Sequence, residues 1–370
     1  MLIDLAIWEG VKAFHENNEV LPFSLCVSNK GLIIQNTAKE IQSRVHEKYS
    51  DNDYNYITSA PGSSAFNETG IKNRIEKIKY FSGSLVGMDV LEIGGGNDYM
   101  ASLIEKNEGC DHYTVVDPSI RETSKNANIS IVRDYFEKDL FTKKFDRVIC
   151  ISCLEHVPDA VVFLNDIFQV LKSADSNAVL FFPIVDAQFE SGDINSIVHE
   201  HISYFTKESA KHIIESIGLK IDKSEFNNDG GWFLLSKNKA KDYDVKALID
   251  SQNRLLDKFE VKLKSNIGNF VSYVKDNDNL VFFCACNGVN SLLEMCDLNN
   301  KNIVIVDSDQ SKKSKYISAL HSPIFLKDEF DFKPDQKLVV ASNSFYEQIS
   351  QDLIENYNIN KDQILSVVDL

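Results

Sequence analysis

The feature that most constrains this chain is the run DVLEIGGGNDYM at residues 89–100. A strand-length apolar segment leads without interruption into Gly94, Gly95 and Gly96. Glycines there admit positive φ and let backbone N–H groups approach a ligand closely where the next helix begins. The dinucleotide fingerprint wants its third glycine at position 99, which is Tyr99 here, so an NAD site is disfavoured. Asp117 lies 21 residues beyond Gly96 and ends the apolar run YTVV. In doubly wound sheets an acid at that place accepts hydrogen bonds from ribose hydroxyls, although an isolated Asp there equally caps the following helix. Strand, three glycines and acid together point to a nucleoside-containing cofactor.

The surrounding pattern is α/β. Strand-length apolar segments at 89–93, 113–116, 129–132, 146–151 and 178–184 alternate with loop-and-helix stretches, which predicts a parallel sheet covered on both faces. Segments 219–226 and 232–236, joined by NNDGG, predict an antiparallel hairpin. From 243 to 274 the residues Leu248, Leu255, Phe259, Leu263, Ile267, Phe270 and Val274 recur at helical spacing, so a long helix is expected. After it the alternation restarts at 280–286, 303–306 and 338–342, giving a second Rossmann-like unit. Leu5, Ile7, Trp8, Val11 and Phe14 read as an opening helix, and Pro61, Gly62 and nearby serines mark a loop. The expected organisation is an N-terminal substrate-covering region over 1–75, a cofactor-binding unit over 76–238, a linker helix over 239–275 and a C-terminal Rossmann-like domain over 276–370. A length of 370 residues agrees with more than one domain.

Charge and cysteine content narrow the partners. With 39 Lys and Arg against 55 Asp and Glu the net charge is -16, which repels a nucleic acid or an acidic membrane surface. No apolar run reaches the roughly 18 residues of a membrane span, and the start MLIDLAIWEG lacks the basic region of a signal peptide, so a cytoplasmic protein is expected. The seven cysteines are odd in number. Cys150 and Cys153 form a C-x-x-C inside an apolar run with no second pair, which predicts buried thiols rather than a disulfide or zinc framework.

Two histidine-bearing places could supply a base. One is Glu155-His156 after the fourth strand, and the other is HEHISYFT at 199–206, just before a helix that Thr206 can cap. In an extended segment His199 and His201 would share a face, with Glu200 pointing away. No third ligand is evident beside them, so no metal is expected. The segment falls beyond the fifth strand, near the carboxyl edge where doubly wound enzymes place their chemistry.

Residues 90–98, Asp117 and FDRVICISCLEHVPDA at 145–160 resemble the class I S-adenosylmethionine-dependent methyltransferases. The resemblance implies that Glu92, Gly94 and Gly96, with Gly95 between them, wrap the methionine part of S-adenosyl-L-methionine and that Asp117 holds its ribose. It places Asp134 and Tyr135 near the adenine and Ser152 on the cofactor's reactive side. Asp98 stands where that family usually has its last glycine. Amino-group methyltransferases of nucleic acids show [ND]-P-P-[YF] after strand four, where this chain has ISCLEH.

The histidine segments and the C-terminal part resemble a narrower group, the sugar C-methyltransferases that act on nucleotide-linked keto-sugars. That likeness implies catalytic roles for His156, Glu200 and His201, a substrate-covering role for Tyr54 and Tyr56, and contact with substrate for His199. Three departures stand out. Only Cys26 occurs in the first region, so a cysteine-type zinc site cannot be built there; Val198 replaces a tyrosine; and Cys286, Asn287 and Asn290 surround Gly288 in a degenerate second glycine loop. A degenerate loop suggests recognition or scaffolding rather than a second cofactor. The expected function is methyl transfer to a sugar, nucleotide-linked, or to a related small polar metabolite of bacterial glycan biosynthesis. Carbon is placed slightly ahead of oxygen because Glu200 and His201 are both present. An O-methyltransferase acting on a hydroxyl, or a non-catalytic cofactor-binding scaffold, remain the alternatives, and the oligomeric state is open.

Overall fold

A computed structural model describes residues 2–8, 10–17, 19–50, 65–120, 124–228, 230–333, 336–343 and 345–370. Tyr54, Tyr56 and the loop around Pro61 and Gly62 lie outside the described residues. The chain opens on an antiparallel meander, β1 (Leu2–Ala6), β2 (Val20–Val27) and β3 (Ile33–Gln35), followed by α1 (Lys39–Ser50) and α2 (Ala65–Ser82). The expected opening helix is therefore a strand. β1 pairs with β2 in the register Ile3↔Phe23 and Leu5↔Leu21. Ile3, Leu5 and Ile7 also alternate, and once β2 offers a partner that period of two wins, leaving Phe14 77% exposed.

The central unit comprises β4 (Asp89–Ile93), α3 (Tyr99–Glu108), β5 (His112–Val116), β6 (Ile129–Val132), β7 (Arg147–Ile151), α4 (Ala160–Val170), β8 (Asn177–Phe182), α5 (Asp186–Ser191), β9 (Ser203–Tyr204), α6 (Lys207–Ser216), β10 (Leu219–Phe226) and β11 (Gly231–Lys237). Its seven-stranded sheet runs β10-β11-β8-β7-β4-β5-β6. The five strands from β6 to β8 are parallel, and the β10–β11 hairpin closes the edge antiparallel to β8. Val90 packs on one face, with α2 and α3, while Leu91 and Ile93 pack on the other, with α4 and α6. Helices on both faces explain why these strands read as continuous apolar runs.

Strand β9 leaves this sheet and pairs with β3 through Ile33↔Tyr204, completing a four-stranded sheet β1-β2-β3-β9. The 32-residue helix α7 (Val245–Asp276) follows, its first turn capped by Asp244, which accepts from Lys246 and Ala247 N–H. Phe259 stacks on Phe189 at 4.0 Å, and Phe270 packs on Phe282. Leu5, Phe23 and Ile33 of the first sheet share this core with α7 and with Leu280 and Ile303. The amphipathic helix is thus the common wall of the three parts.

The last unit is β12 (Asn279–Phe283), α8 (Asn287–Glu294), β13 (Asn302–Asp307), β14 (Phe325–Leu326), β15 (Lys337–Val340), α9 (Tyr346–Tyr357) and β16 (Ile364–Ser366), an all-parallel sheet in the order β14-β13-β12-β15-β16. Its glycine loop is filled by its own chain. Asn195, from the central unit, accepts from Gly288 N–H through Oδ1 at 3.1 Å and donates through Nδ2 to the Ala341 carbonyl at 3.0 Å. A Cβ on Gly288 would lie 2.1 Å from Asn195 Oδ1, so glycine is required for this close approach. Asp307, at the end of β13, accepts from Ala285 N–H and from Lys312.

Candidate active site

The glycine loop leaves β4 at the topological switch point. From β4 the chain steps outward to β5 and β6, then returns to β7 on the other side, so the crevice opens over the carboxyl ends of β4 and β7. Gly94 and Gly96 take φ of +75° and +66°. Gly94 N–H donates to the Val116 carbonyl at 2.9 Å, and Gly96 N–H donates to Asp117 Oδ2 at 2.8 Å. Gly95 has no positive φ and is fixed by space instead: a Cβ there would meet Val115 Cγ1 at 2.7 Å and Glu92 Oε1 at 2.9 Å. Asp117 is buried, and its Oδ1 accepts from Ser119 N–H at 2.7 Å. Glu92 is buried beneath the loop, where Tyr113 O–H donates to its Oε2 at 2.9 Å. Burial pushes the Glu92 carboxyl up to about 7 against the opposing pull of that hydrogen bond. The glycine missing at Asp98 is absorbed locally: Asn97 Oδ1 accepts from Tyr99 N–H at 2.9 Å as α3 begins.

Asp134 and Tyr135 lie beyond β6 and are exposed, with Asp134 Oδ1 accepting from Tyr135 N–H. Ser152, the residue after β7, has a φ of 51°, an unfavourable conformation for a residue with a Cβ, while its N–H donates to the Phe181 carbonyl at 2.8 Å. Strain of about 1–3 kcal/mol of this kind persists at sites that need a particular side-chain position. Cys153, next along, lies against the glycine loop, 2.9 Å from where a Cβ on Gly94 would stand.

Residues Leu154–His156 form a single 3-10 turn that presents Glu155 and His156. His156 Nδ1 lies 3.0 Å from the Glu200 carbonyl. A carbonyl only accepts, so the proton is assigned to Nδ1, and Nε2 carries the lone pair. The His156 and His201 rings meet edge to face with centroids 4.8 Å apart. Glu155 is 2% exposed, and its Oε2 has no hydrogen-bond partner among the described residues, while its Oε1 lies 3.8 Å from His156 Nε2. Burial pushes Glu155 up to about 8 and His156 down to about 4. Burial, and then His156, hold His201 well below the ordinary histidine value. Both imidazoles are therefore neutral at pH 7.

The 199–206 segment is not extended at its start. His201 N–H donates to the Val198 carbonyl at 3.3 Å, closing a turn before β9 pairs with β3. The turn separates the two histidines that alternation would place on one face. His199 is buried away from His156 and His201, with Nε2 3.0 Å from the Leu5 carbonyl and its ring on Phe23. Glu200 contributes its backbone carbonyl to His156 and is half-buried. Tyr204 O–H donates to the Val198 carbonyl at 2.9 Å, bracing the turn. Ile202 N–H donates to the Glu155 carbonyl, which stitches this segment to the β7 exit. Glu155 completes a group with His156 and His201. The sequence signal was its adjacency to His156, but a partner 46 residues away is brought in only by the fold.

Residues 67–224 match the family model described as a methyltransferase domain, and residues 251–366 match that of the C-methyltransferase C-terminal domain. A ubiquinone biosynthesis O-methyltransferase from Histophilus somni (strain 2336) is 26% identical over 141 residues, 35% of this chain and 58% of that protein. The match thus spans little more than half of that relative's length. Among solved structures, magnesium protoporphyrin IX methyltransferase from Synechocystis PCC 6803 with bound SAH aligns over 54% of this chain and 100% of that one, with 11% identity and a TM-score of 0.39. An S-adenosylmethionine-dependent methyltransferase from Mesorhizobium loti aligns over 44% of this chain and 96% of that one, with 10% identity and a TM-score of 0.36.

Proposed function

The chain belongs to the class I S-adenosylmethionine-dependent methyltransferases, with a C-methyltransferase C-terminal domain, and from that premise we propose that it methylates a sugar, carried as a nucleotide-linked precursor of bacterial glycans. The observation that carries the reading is the contact of the glycine loop with the β7 exit. Gly94 packs against Cys153, and three residues later His156 meets His201, so neutral proton acceptors stand beside the cofactor loop.

The residues present suit S-adenosylmethionine. Gly94 and Gly95 pack so closely on Cys153, Val115 and Glu92 that neither tolerates a Cβ, and Asp117 Oδ2, which accepts from Gly96 N–H, has capacity for a further hydrogen bond from a ribose hydroxyl, while Oδ1 is taken by the N–H and hydroxyl of Ser119. The cofactor brings an electrophilic methyl group on a sulfonium, open to in-line displacement. The chain aligns donor and acceptor and takes the acceptor's proton. We assign that proton to His201 or His156, with the Glu200 carbonyl orienting His156 and Ser152 facing the reacting methyl. Glu92, Asp134 and Tyr135 are assigned to the cofactor, and Tyr54 and Tyr56 to the acceptor.

Carbon methylation needs a proton removed next to a ketone and an enolate held, whereas a hydroxyl needs one base alone. The C-terminal family match and the histidine pair favour carbon. The O-methyltransferase name of the Histophilus somni relative keeps oxygen as the second reading. The C-terminal unit reads as a scaffold, since Asn195 fills its glycine loop. No helix among the described residues is long and apolar enough to cross a membrane, and both cofactor and acceptor in this reading are cytoplasmic metabolites. Mass-spectrometric screening of nucleotide sugars with S-adenosylmethionine tests the proposal. A methylated keto-sugar nucleotide supports it; methylation of nucleic acid alone, or cofactor binding with no product across the panel, contradicts it.

A further inference from the structure

We propose that Glu155, His156 and His201 form a site for one divalent first-row transition ion. One donor atom from each of the three side chains lies within 4.8 Å of the others, in a group that three different stretches of contact hold together. Ile202 N–H binds the Glu155 carbonyl, His156 Nδ1 binds the Glu200 carbonyl, and the 198–201 turn aims His201 at His156. Bond lengths of about 2.0–2.2 Å put neighbouring ligand atoms roughly 3.0–3.5 Å apart around a metal, so rotations of less than about 1 Å complete the site.

Two observations select a cation over a purely structural cluster. Glu155 is 2% exposed, and Oε2 of this buried carboxyl has no hydrogen-bond partner among the described residues. His156 donates Nδ1–H to a backbone carbonyl, the arrangement by which metal-bound histidines fix their tautomer, and so turns its Nε2 lone pair toward Glu155 Oε1 at 3.8 Å. Two imidazoles and one carboxylate suit zinc, iron, cobalt or nickel rather than calcium or magnesium, and three protein ligands leave positions open toward the crevice.

An ion bound here would occupy the imidazole lone pairs that take the acceptor's proton in the methylation reading, so ion and proton compete for one site, and they are told apart by readout: the ion is detected by binding and the methyl group by product. The full chain, stripped with EDTA and titrated with Co²⁺, is expected to bind one ion and to show visible d–d bands that Zn²⁺ abolishes. Glu155→Gln and His201→Ala, each checked for an intact melting transition in EDTA, should weaken Co²⁺ binding by more than about 100-fold, beyond the loss typical of outer-shell changes. Absence of Co²⁺ binding, or binding of unchanged affinity in both variants, would overturn the site. Should either variant fail to fold, anomalous diffraction from wild-type crystals soaked in Co²⁺ decides: density between the three side chains supports the proposal, and its absence refutes it.

Discussion

Gly94 lies so close beneath Cys153 that a Cβ on the glycine would come within 2.9 Å of the cysteine Cβ and 3.0 Å of its Sγ. This one contact ties the loop after β4, which we assign to the cofactor, to the exit of β7, which leads to the residues we assign to the acceptor. Gly94→Ala meets both that clash and a φ of +75°. It should destabilise the protein by about 1–3 kcal/mol and abolish binding of S-adenosylhomocysteine. Thermal melting and calorimetry check this; a variant that melts and binds like the wild type would show the loop to be slack.

Asp117→Ala removes the carboxylate that accepts from Gly96 N–H and that we assign to the ribose. Charged hydrogen bonds are worth about 1.5–3 kcal/mol, so the dissociation constant for S-adenosylhomocysteine should rise roughly 10- to 150-fold. Unchanged affinity by calorimetry argues against the ribose assignment.

Much of this was legible in the sequence, and the limits have physical causes. β4 falls on the segment read as a strand, because a parallel strand buried on both faces leaves an unbroken apolar run, and β10 falls on its segment because the NNDGG turn marks an antiparallel hairpin. β1 was not, since a five-residue strand is defined by its partner 18 residues later, and its apolar spacing also suits a helix turn. His201 and His156 were singled out, but the turn that buries His199 against Leu5 depends on β9 pairing with β3, Ile33 with Tyr204, a contact between residues 171 positions apart. For the same reason Glu155 was seen beside His156 without its role in the group.

Stability should depend on pH through Glu155. Its folded value of about 8 lies above that of an unfolded glutamate, so the folded chain keeps a proton that the unfolded chain releases. The contribution of Glu155 to stability therefore falls as pH rises from about 4.5 through about 8 and levels off above, against the opposite contribution of the buried His156 and His201 at the acid end, which the comparison with a Glu155 variant cancels. Glu155→Gln removes the penalty: in EDTA it should melt above the wild type at pH 9 and converge with it near pH 5. Equal differences at both pH values would show that Glu155 titrates normally.

Asn195 and Gly288 should be energetically coupled across the two units. Gly288→Ala forces a methyl onto Asn195 Oδ1, 2.1 Å away, and is expected to cost about 1–3 kcal/mol, much of which Asn195→Ala relieves in the double variant. Additive losses in a double-mutant cycle would mean that the two residues do not press on each other.

His201→Ala should leave S-adenosylhomocysteine affinity unchanged and lower turnover by about 10²- to 10⁴-fold if His201 takes the acceptor's proton. Normal turnover moves that role to His156.

The most direct test of the central claim follows an isotope-labelled methyl group from S-adenosylmethionine in the presence of keto-sugar nucleotides. The account predicts that the label appears on the sugar, on carbon, and that Asp117→Ala and His201→Ala each suppress it. Tight binding of NAD with no affinity for S-adenosylhomocysteine, or bound cofactor whose methyl group never leaves it, would contradict the account.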